Sequence, residues 1–539
     1  MNFFKQRITK NIWILIVIVA VGFFFRSYHH HDFLRFNPDQ SRDAALVRDV
    51  VAGKESWPLL GPQAGGTNFR LGGFFYQIEI VSARIFGESP DRLAFPDLFF
   101  SVLSIALLYF FLKEFFEDKI ALICAAAAAV SFYVVKYARF AWNPNSTPFY
   151  ALLFLYAMLQ LGKRDQTRKW LWALLIGLAA GIGVQLHSLV LFTFPFVFAV
   201  YFAYLFFKKN PAWRWAPLIL LIGLAINIPQ IMSEVQTGGK NMQAFFQGMH
   251  KKSSRSGTLV QKFVLDATCH VQSNAFMLLP LGNDSQCDFV DASANFDKNS
   301  KKASGNIPNL ILLGDIAFAI IFSVGGYWFL IKYWREEQNE ERKNFLGLIL
   351  LYTGTLFALL VPLADEISFR FFLVSEFVPF LLLGLWLKYA QERFDKNYLK
   401  IATIAVAIII AINVATLLGY FSYLSGQAKE GTNGFEEITL GEVQYMANFI
   451  ESRAGNSKNI YLQGKAGDLF KITKSIKYFT DEADLKVNNL KKSQTLNSED
   501  KVFDIDVVKD PTKKMTAPTG TVERGSFGRV RIYEVGNGD

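Results

Sequence analysis

The sequence predicts an all-α polytopic membrane protein that carries a small α/β unit at its C-terminal end. Three observations predict it. Of 539 residues, 52% are hydrophobic and 15% aromatic, and mean hydropathy is +0.23, well beyond a soluble globular composition. About eleven apolar runs are long enough to cross a bilayer, near 12–27, 95–112, 119–136, 147–162, 170–187, 189–207, 216–233, 308–331, 345–363, 371–388 and 400–423. From about residue 424 the chain turns charged. A helical pattern over 438–453 is followed by the strand-like segments NIYLQG, FDIDVV and GRVRIYEV. The expected division is a membrane unit, 1–423, and a soluble unit, 424–539.

The first run follows Lys5, Arg7 and Lys10 and lacks a small-residue cleavage site, so it reads as a retained span with its N-terminus inside. The loops 113–119, 163–169, 208–215, 332–344 and 388–400 are short, and most are rich in Lys and Arg, which places them in the cytoplasm. Segments 28–94, 137–146, 234–307, 364–370 and the tail then face outward. These loops account for the net charge of +10. No basic stripe interleaved with aromatics suggests nucleic acid. The loop 234–307 is expected to be partly helical. No pair of matching broken helices, the mark of a transporter midplane, is read. Cys124 lies in an apolar run, while Cys269 and Cys287 share the long outer loop, where a disulfide is allowed.

Chemistry-bearing residues gather in the outer segments. FNPDQSRDAALVRDVV (36–51) reads as a helix that begins at Asn37 and Pro38. Asp39 and Asp43 lie one turn apart with Arg42 beside them, and Ala44, Ala45, Leu46, Val47, Val50 and Val51 form an apolar side suited to the bilayer surface. The Gly- and Pro-rich stretch 59–79, with Arg70, reads as a loop on that surface. Lys136, Arg139, Asn143 and Asn145 follow in the next outer loop, and Asp365, Glu366 and Arg370 precede the tenth span. Arg70, Arg139 and Arg370 suit a lipid phosphate, because guanidinium pairs well with phosphate oxygens. Each also suits the bland role of an arginine snorkelling at a span end. His187 sits at a hairpin tip with Gln185. His29, His30 and His31 are adjacent and so diverge on a helix, which argues against a metal cluster. Asn227 reads as a helix–helix hydrogen bond.

PDQSRDAALVRDV resembles the PDE-x-RYAEIAREM pattern of the GT-C superfamily, in its protein O-mannosyltransferase and aminoarabinose-transferase branch. Asp39 falls on the acid that this family uses at its active site, and Arg42 and Arg48 fall on its arginines. Gln40 stands in place of the second acid and Asp43 in place of a tyrosine. The segment from Phe69 to Phe110 is similar to the family's KPPLYYWL…FGVSEFAARLPSALFGLLTVLLVY, with Arg70 near a phosphate-contacting lysine. YARFAWNPNSTPFYALLFLY resembles ARFARLDMPLTFFLTLALY, with Asn143 or Asn145 where some members carry an acid. ISFRFFLVSEFVPFLLLGLW resembles RYLLPVLPALALLAG and puts Arg370 on its arginine.

The resemblance implies an inverting glycosyltransferase of the GT-C fold, acting on the outer face with a polyprenyl-phosphate sugar as donor. The acceptor would be a protein, lipid or glycan hydroxyl. Asp39 would be the base, with Asp43 as second acid. Arg370, Arg70 and Arg139 would bind the donor phosphate, and Arg42, Asn143, Asn145 and His187 the acceptor or sugar. A divalent metal stays open. Competing readings are an oligosaccharyltransferase-like enzyme using a lipid diphosphate, a transporter or flippase, and a non-enzymatic scaffold.

Overall fold

The computed structural model describes residues 10–253, 258–281, 307–393, 396–430, 437–491, 496–512 and 520–536. The chain opens with α1 (Lys10–Ser27), α2 (Pro38–Val51), a hairpin of β1 (Leu60–Gln63) and β2 (Arg70–Gly72), and α3 (Phe74–Phe86). A short turn, α4 (Pro90–Leu93), leads into α5 (Phe95–Leu112), α6 (Asp118–Val130), α7 (Phe132–Tyr137), α8 (Thr147–Gly162), α9 (Lys169–Leu186) and α10 (Val190–Phe207). Next come α11 (Ala216–Ile226), α12 (Ile228–Thr237), α13 (Lys240–Ser253), α14 (Leu259–Leu278), α15 (Ile307–Glu336), α16 (Glu340–Leu360), α17 (Val378–Arg393) and α18 (Lys396–Leu424). The C-terminal unit holds α19 (Leu440–Ala454), β3 (Asn459–Gly464), α20 (Ala466–Thr480), β4 (Lys486–Asn489), β5 (Lys501–Val507), β6 (Thr521–Phe527) and β7 (Val530–Val535).

Every expected span falls on helix, as apolar runs must when no water is present to satisfy the backbone. Among the described residues, seven helices are long and apolar enough to cross a membrane by length and composition, or nine if each of two bent pairs is one span. The remaining two expected spans are α8, which is short, and 119–136, which breaks at Ser131 into α6 and α7. That break is satisfied from outside. Asn413 of α18 accepts the Phe132 N–H (2.8 Å) and donates to Leu278 O (2.9 Å), while Ser131 Oγ donates to Met277 O (2.7 Å). The chain is thus an integral membrane protein.

Two features correct the sequence reading. The spans at 211–237 and 369–393 bend by 60° and 62°, so broken helices are present and their supposed absence no longer counts against a transporter. Asn227 lies at the first bend, donating to Gly181 O (2.9 Å) and Gly223 O (2.8 Å), which ties it to α9. The apolar side of α2 meets protein, not bilayer: Ala44, Val47 and Val50 are buried. The stretch after it is no surface loop either, but the β1–β2 hairpin and α3. Gly66, with φ +74°, turns the hairpin. At Gly72 any Cβ would collide with Gln185, whose Oε1 accepts the Phe74 N–H (3.1 Å).

The C-terminal sheet has the order β4-β3-β5-β7-β6, with β3 parallel to β4 and β5, and β7 antiparallel to β5 and β6. It docks beside α2. The Phe36 N–H donates to Ile438 O (3.0 Å) and the Leu440 N–H to Leu34 O (2.7 Å). Ser475 Oγ donates to Phe36 O (2.8 Å), and Arg48 stacks on Tyr478 while donating to its carbonyl (3.1 Å). Inside the C-terminal unit a fully buried pair backs the dock: Arg529 donates to both Glu442 oxygens (2.9 and 2.7 Å) and to Glu437 O (2.6 Å), and Glu437 crosses to pair with Arg35 (2.8 Å).

Removing one partner strands the other charge in a dry interior. Glu442→Gln is therefore expected to cost about 3–5 kcal/mol, whereas Glu442→Leu with Arg529→Met regains most of it. Thermal unfolding in detergent, with limited proteolysis to detect release of the C-terminal unit, measures both.

Candidate active site

The N-terminal half of α2 presents Asp39, Arg42 and Asp43. Pro38 in the first turn sets the helix direction. Gln40 accepts the Asn37 N–H (3.2 Å) and donates to Ala141 O (3.2 Å). A glutamate there has no donor for Ala141, which gives a physical reason for the amide where the resembling family carries an acid.

The two aspartates differ sharply in environment. Asp43 is 2% exposed and takes bonds from Arg42 Nε (2.9 Å), Arg42 Nη2 (3.0 Å) and Tyr76 Oη (2.7 Å). Burial raises its carboxyl to about 6, while Arg42 and the Tyr76 hydroxyl pull the other way. The Asp39 side chain is 56% exposed, and its one bonded partner among the described residues is Arg42 Nη1 (2.9 Å). Burial works against the Arg42 charge, yet Asp43 and Asp39 together hold its pKa above the ordinary value. The result is a guanidinium fork fixed on a buried acid, with one arm on an open acid.

Sequence reasoning missed three residues behind this fork. Tyr76 and Glu79 lie one turn apart on α3, which packs against α2. Burial and the nearby Asp43 raise Tyr76, and Glu79, with both oxygens buried and without a partner among the described residues, is raised well above the carboxylate range by burial, then by Asp43 and Asp97. Asp97, in the first turn of α5, accepts the Trp142 N–H (3.1 Å) and the Ser146 hydroxyl, which shapes loop 138–146. The readable signal was the i, i+3 spacing of Tyr76 and Glu79 and an acid opening an apolar span.

Arg370 and His187 form a second group. Arg370 is exposed and has no hydrogen-bond or ion-pair partner among the described residues. A Cβ on Gly65, at the hairpin tip, would lie 3.6 Å from its Nη2. His187 packs edge-on against Phe371 and is held near 4 by burial and by the neighbouring Arg370 charge. Its Nδ1 accepts the Leu189 N–H (3.2 Å), so the neutral ring carries its proton on Nε2. Loop 138–146 joins the two groups. Ala141 takes the Gln40 bond, Asn143 donates to Leu186 O (2.7 Å), and Trp142 stacks on Tyr137, which stacks on Phe369.

The other expectations divide. Arg70 is half-buried, with Nε on Gly61 O (2.8 Å). Arg139 is buried and donates to Phe25 O (2.8 Å), Arg26 O (2.8 Å) and Tyr28 O (2.6 Å). It closes the end of α1, and we withdraw it as a phosphate ligand. Asn145 is buried and donates to Phe140 O (2.8 Å); it holds its own loop and is withdrawn as a sugar ligand. The three histidines diverge: His29 to Asp32, His30 to Asp91 O, and His31 to Asp91 and Gln444. Among the described residues no three His, Cys, Asp or Glu side chains are grouped to hold a metal ion. Cys269 is disulfide-bonded, and Cys287 lies outside the described residues.

Helix bundle, the α2 helix beside it and the C-terminal α/β unit together define the fold, and that fold has solved counterparts. The fold matches ArnT from Cupriavidus metallidurans in the apo state, at a TM-score of 0.50 and 13% identity over 97% of both chains. The same protein bound to undecaprenyl phosphate matches at 0.50 and 12%, again over 97% of both. The oligosaccharyltransferase AglB from Archaeoglobus fulgidus, in complex with an inhibitory peptide and a dolichol phosphate, matches at 0.47 and 13% over 88% of this chain and 64% of its own. Residues 73–232 match the family model "Dolichyl-phosphate-mannose-protein mannosyltransferase". No curated protein matches in sequence.

Asp43 binds its proton more tightly in the fold, near 6, than at the ordinary 3.8. Its contribution to stability is therefore present below about pH 4 and is lost as pH rises through 6. Asp43→Asn is expected to flatten that decline, checked by unfolding midpoints of both proteins from pH 4 to 7.

Proposed function

We propose that the protein is an inverting glycosyltransferase that moves a sugar from a polyprenyl-phosphate donor to a hydroxyl-bearing acceptor on the outer face of the membrane. The observation that carries this reading is the contrast on α2: an open carboxylate, Asp39, steadied through Arg42 by a buried one, Asp43. The acceptor oxygen attacks the anomeric carbon as the bond from that carbon to the phosphate oxygen breaks. The acceptor proton passes to Asp39, which has lone pairs to spare. The bonding electrons leave with the lipid phosphate, and Arg370, which is exposed, and Arg70 stabilise the added charge. Arg42, the Asn143 side-chain oxygen and neutral His187 Nε2 are left to contact sugar or acceptor.

Asp43 acts by orienting Arg42, since its oxygens are already engaged. The outward orientation rests on the basic short loops, and on the C-terminal unit sharing the side of α2. The two bent spans favour a transporter as the second reading, which the assay below separates from transfer.

Purified protein in lipid vesicles, given radiolabelled polyprenyl-phosphate sugars, is expected to release lipid phosphate and label an acceptor. Asp39→Asn should lower turnover by at least about 100-fold at normal expression and melting temperature. Arg370→Ala should instead raise the apparent KM for donor by about 10-fold or more. Undiminished turnover in Asp39→Asn removes the base, and label that crosses the bilayer without leaving its lipid indicates transport.

A further inference from the structure

The sequence assigns a bilayer-surface helix to 38–51, but the structure buries that helix and leaves the role to another. α13 has three distinct sides. Asn241, Phe245 and Gly248 face inward, Gln243, Gln247 and Lys240 form a polar side, and Met242, Phe246 and Met249 make an exposed apolar stripe at i, i+4 and i+7. Phe246 is 61% exposed, a poor arrangement for a helix in water.

Its height is set by its neighbours. Phe245 stacks on Phe192, in the first turn of span α10, with ring centroids 5.7 Å apart. On the N-terminal side, Gly238 and Gly239 reverse the chain out of α12, the second half of a bent span, where Ile231, Met232 and Val235 are also exposed. Glu234 accepts the Met242 N–H (3.2 Å) across that turn. The apolar stripe therefore continues the lipid-facing surface of the spans at the level where α10 begins.

We propose that α13 is an interfacial helix, with Met242, Phe246 and Met249 inserted among the upper acyl chains of the outer leaflet. The partner is the phospholipid surface itself, and the proposal does not rest on transfer chemistry. α13 also grips the hairpin that carries Arg70: Asn241 accepts the Arg70 N–H (2.7 Å) and donates to Arg70 O (2.9 Å), while Gly248 is packed so closely against Thr67 that a Cβ would stand 2.8 Å away. The leaflet thereby fixes the depth of Arg70, placing it at headgroup level, where a lipid-borne phosphate lies.

The full chain carries the test, because Cys124 is buried and Cys269 is disulfide-bonded, and the unaltered chain serves as the labelling blank. Phe246→Cys and Gln243→Cys, each tagged with the fluorophore NBD and reconstituted in phosphatidylethanolamine–phosphatidylglycerol vesicles, are compared with two quenchers. The tag at 246 should be quenched several-fold more by phospholipid spin-labelled near the headgroup than the tag at 243, and aqueous iodide should show the opposite order. Equal iodide quenching at both positions overturns the proposal by placing α13 in water. Protection of 246 from both quenchers overturns it as well, by showing that protein covers the stripe.

Discussion

The burial of Asp43 is the constraint on which the site turns. A carboxylate withdrawn from water needs its lone pairs engaged, and only donors that reach it without moving backbone can do so. Arg42 and Tyr76 meet that need from α2 and α3. Once the guanidinium is committed to Asp43, its remaining arm has one place to go, and that is Asp39. The position of the open acid is thus set by the satisfaction of the hidden one. Deeper still, Glu79 has no donor among the described residues, and burial together with Asp43 and Asp97 pushes its carboxyl well above the usual carboxylate range.

This arrangement needs α2 to be held from both sides. On one side stands α3. On the other, the backbone bonds between 34–36 and 438–440 and the Ser475 and Arg48 contacts make the C-terminal unit a wall of the same compartment. Arg529 bonds both Glu442 and the Glu437 carbonyl, and Glu437 in turn pairs with Arg35, four residues before Asp39. Such a wall removes the freedom of a helix, α2, that the helix bundle does not hold by itself.

What the sequence could disclose follows from the reach of each signal. Spans and the α/β tail are written in runs and periodicities, so their places were legible. The first bend and the break at Ser131 were not, because they are stabilised by Gly181, Asn413 and Met277, residues remote in sequence. Asp39, Arg42 and Asp43 were legible as neighbours on a helix, but their unequal burial depends on α3 and could not be. Arg139 shows the limit from the other side. An arginine at a span end suits a phosphate or a helix terminus equally well in composition, and only the carbonyls of Phe25, Arg26 and Tyr28 decide.

The mistaken reading of α2 carries the same lesson in energetic terms. Amphipathicity says that a helix has an apolar side and is silent on what covers it. For α2 the cover is protein, since Phe36, Val47 and Val50 are sealed among the rings and aliphatic groups of α3 and α20. For α13 no protein cover is described on the stripe, and the stripe runs on from spans that must themselves meet lipid. One helix is therefore fixed to the protein frame, and the other, on the proposal above, follows the bilayer. Arg70 hangs from the second and Asp39 from the first. Under the proposed function a phosphate at bilayer depth and a sugar at protein height are measured against two separate references, and Gln185, bonded to Phe74 and crowded by Gly72, is the joint between them.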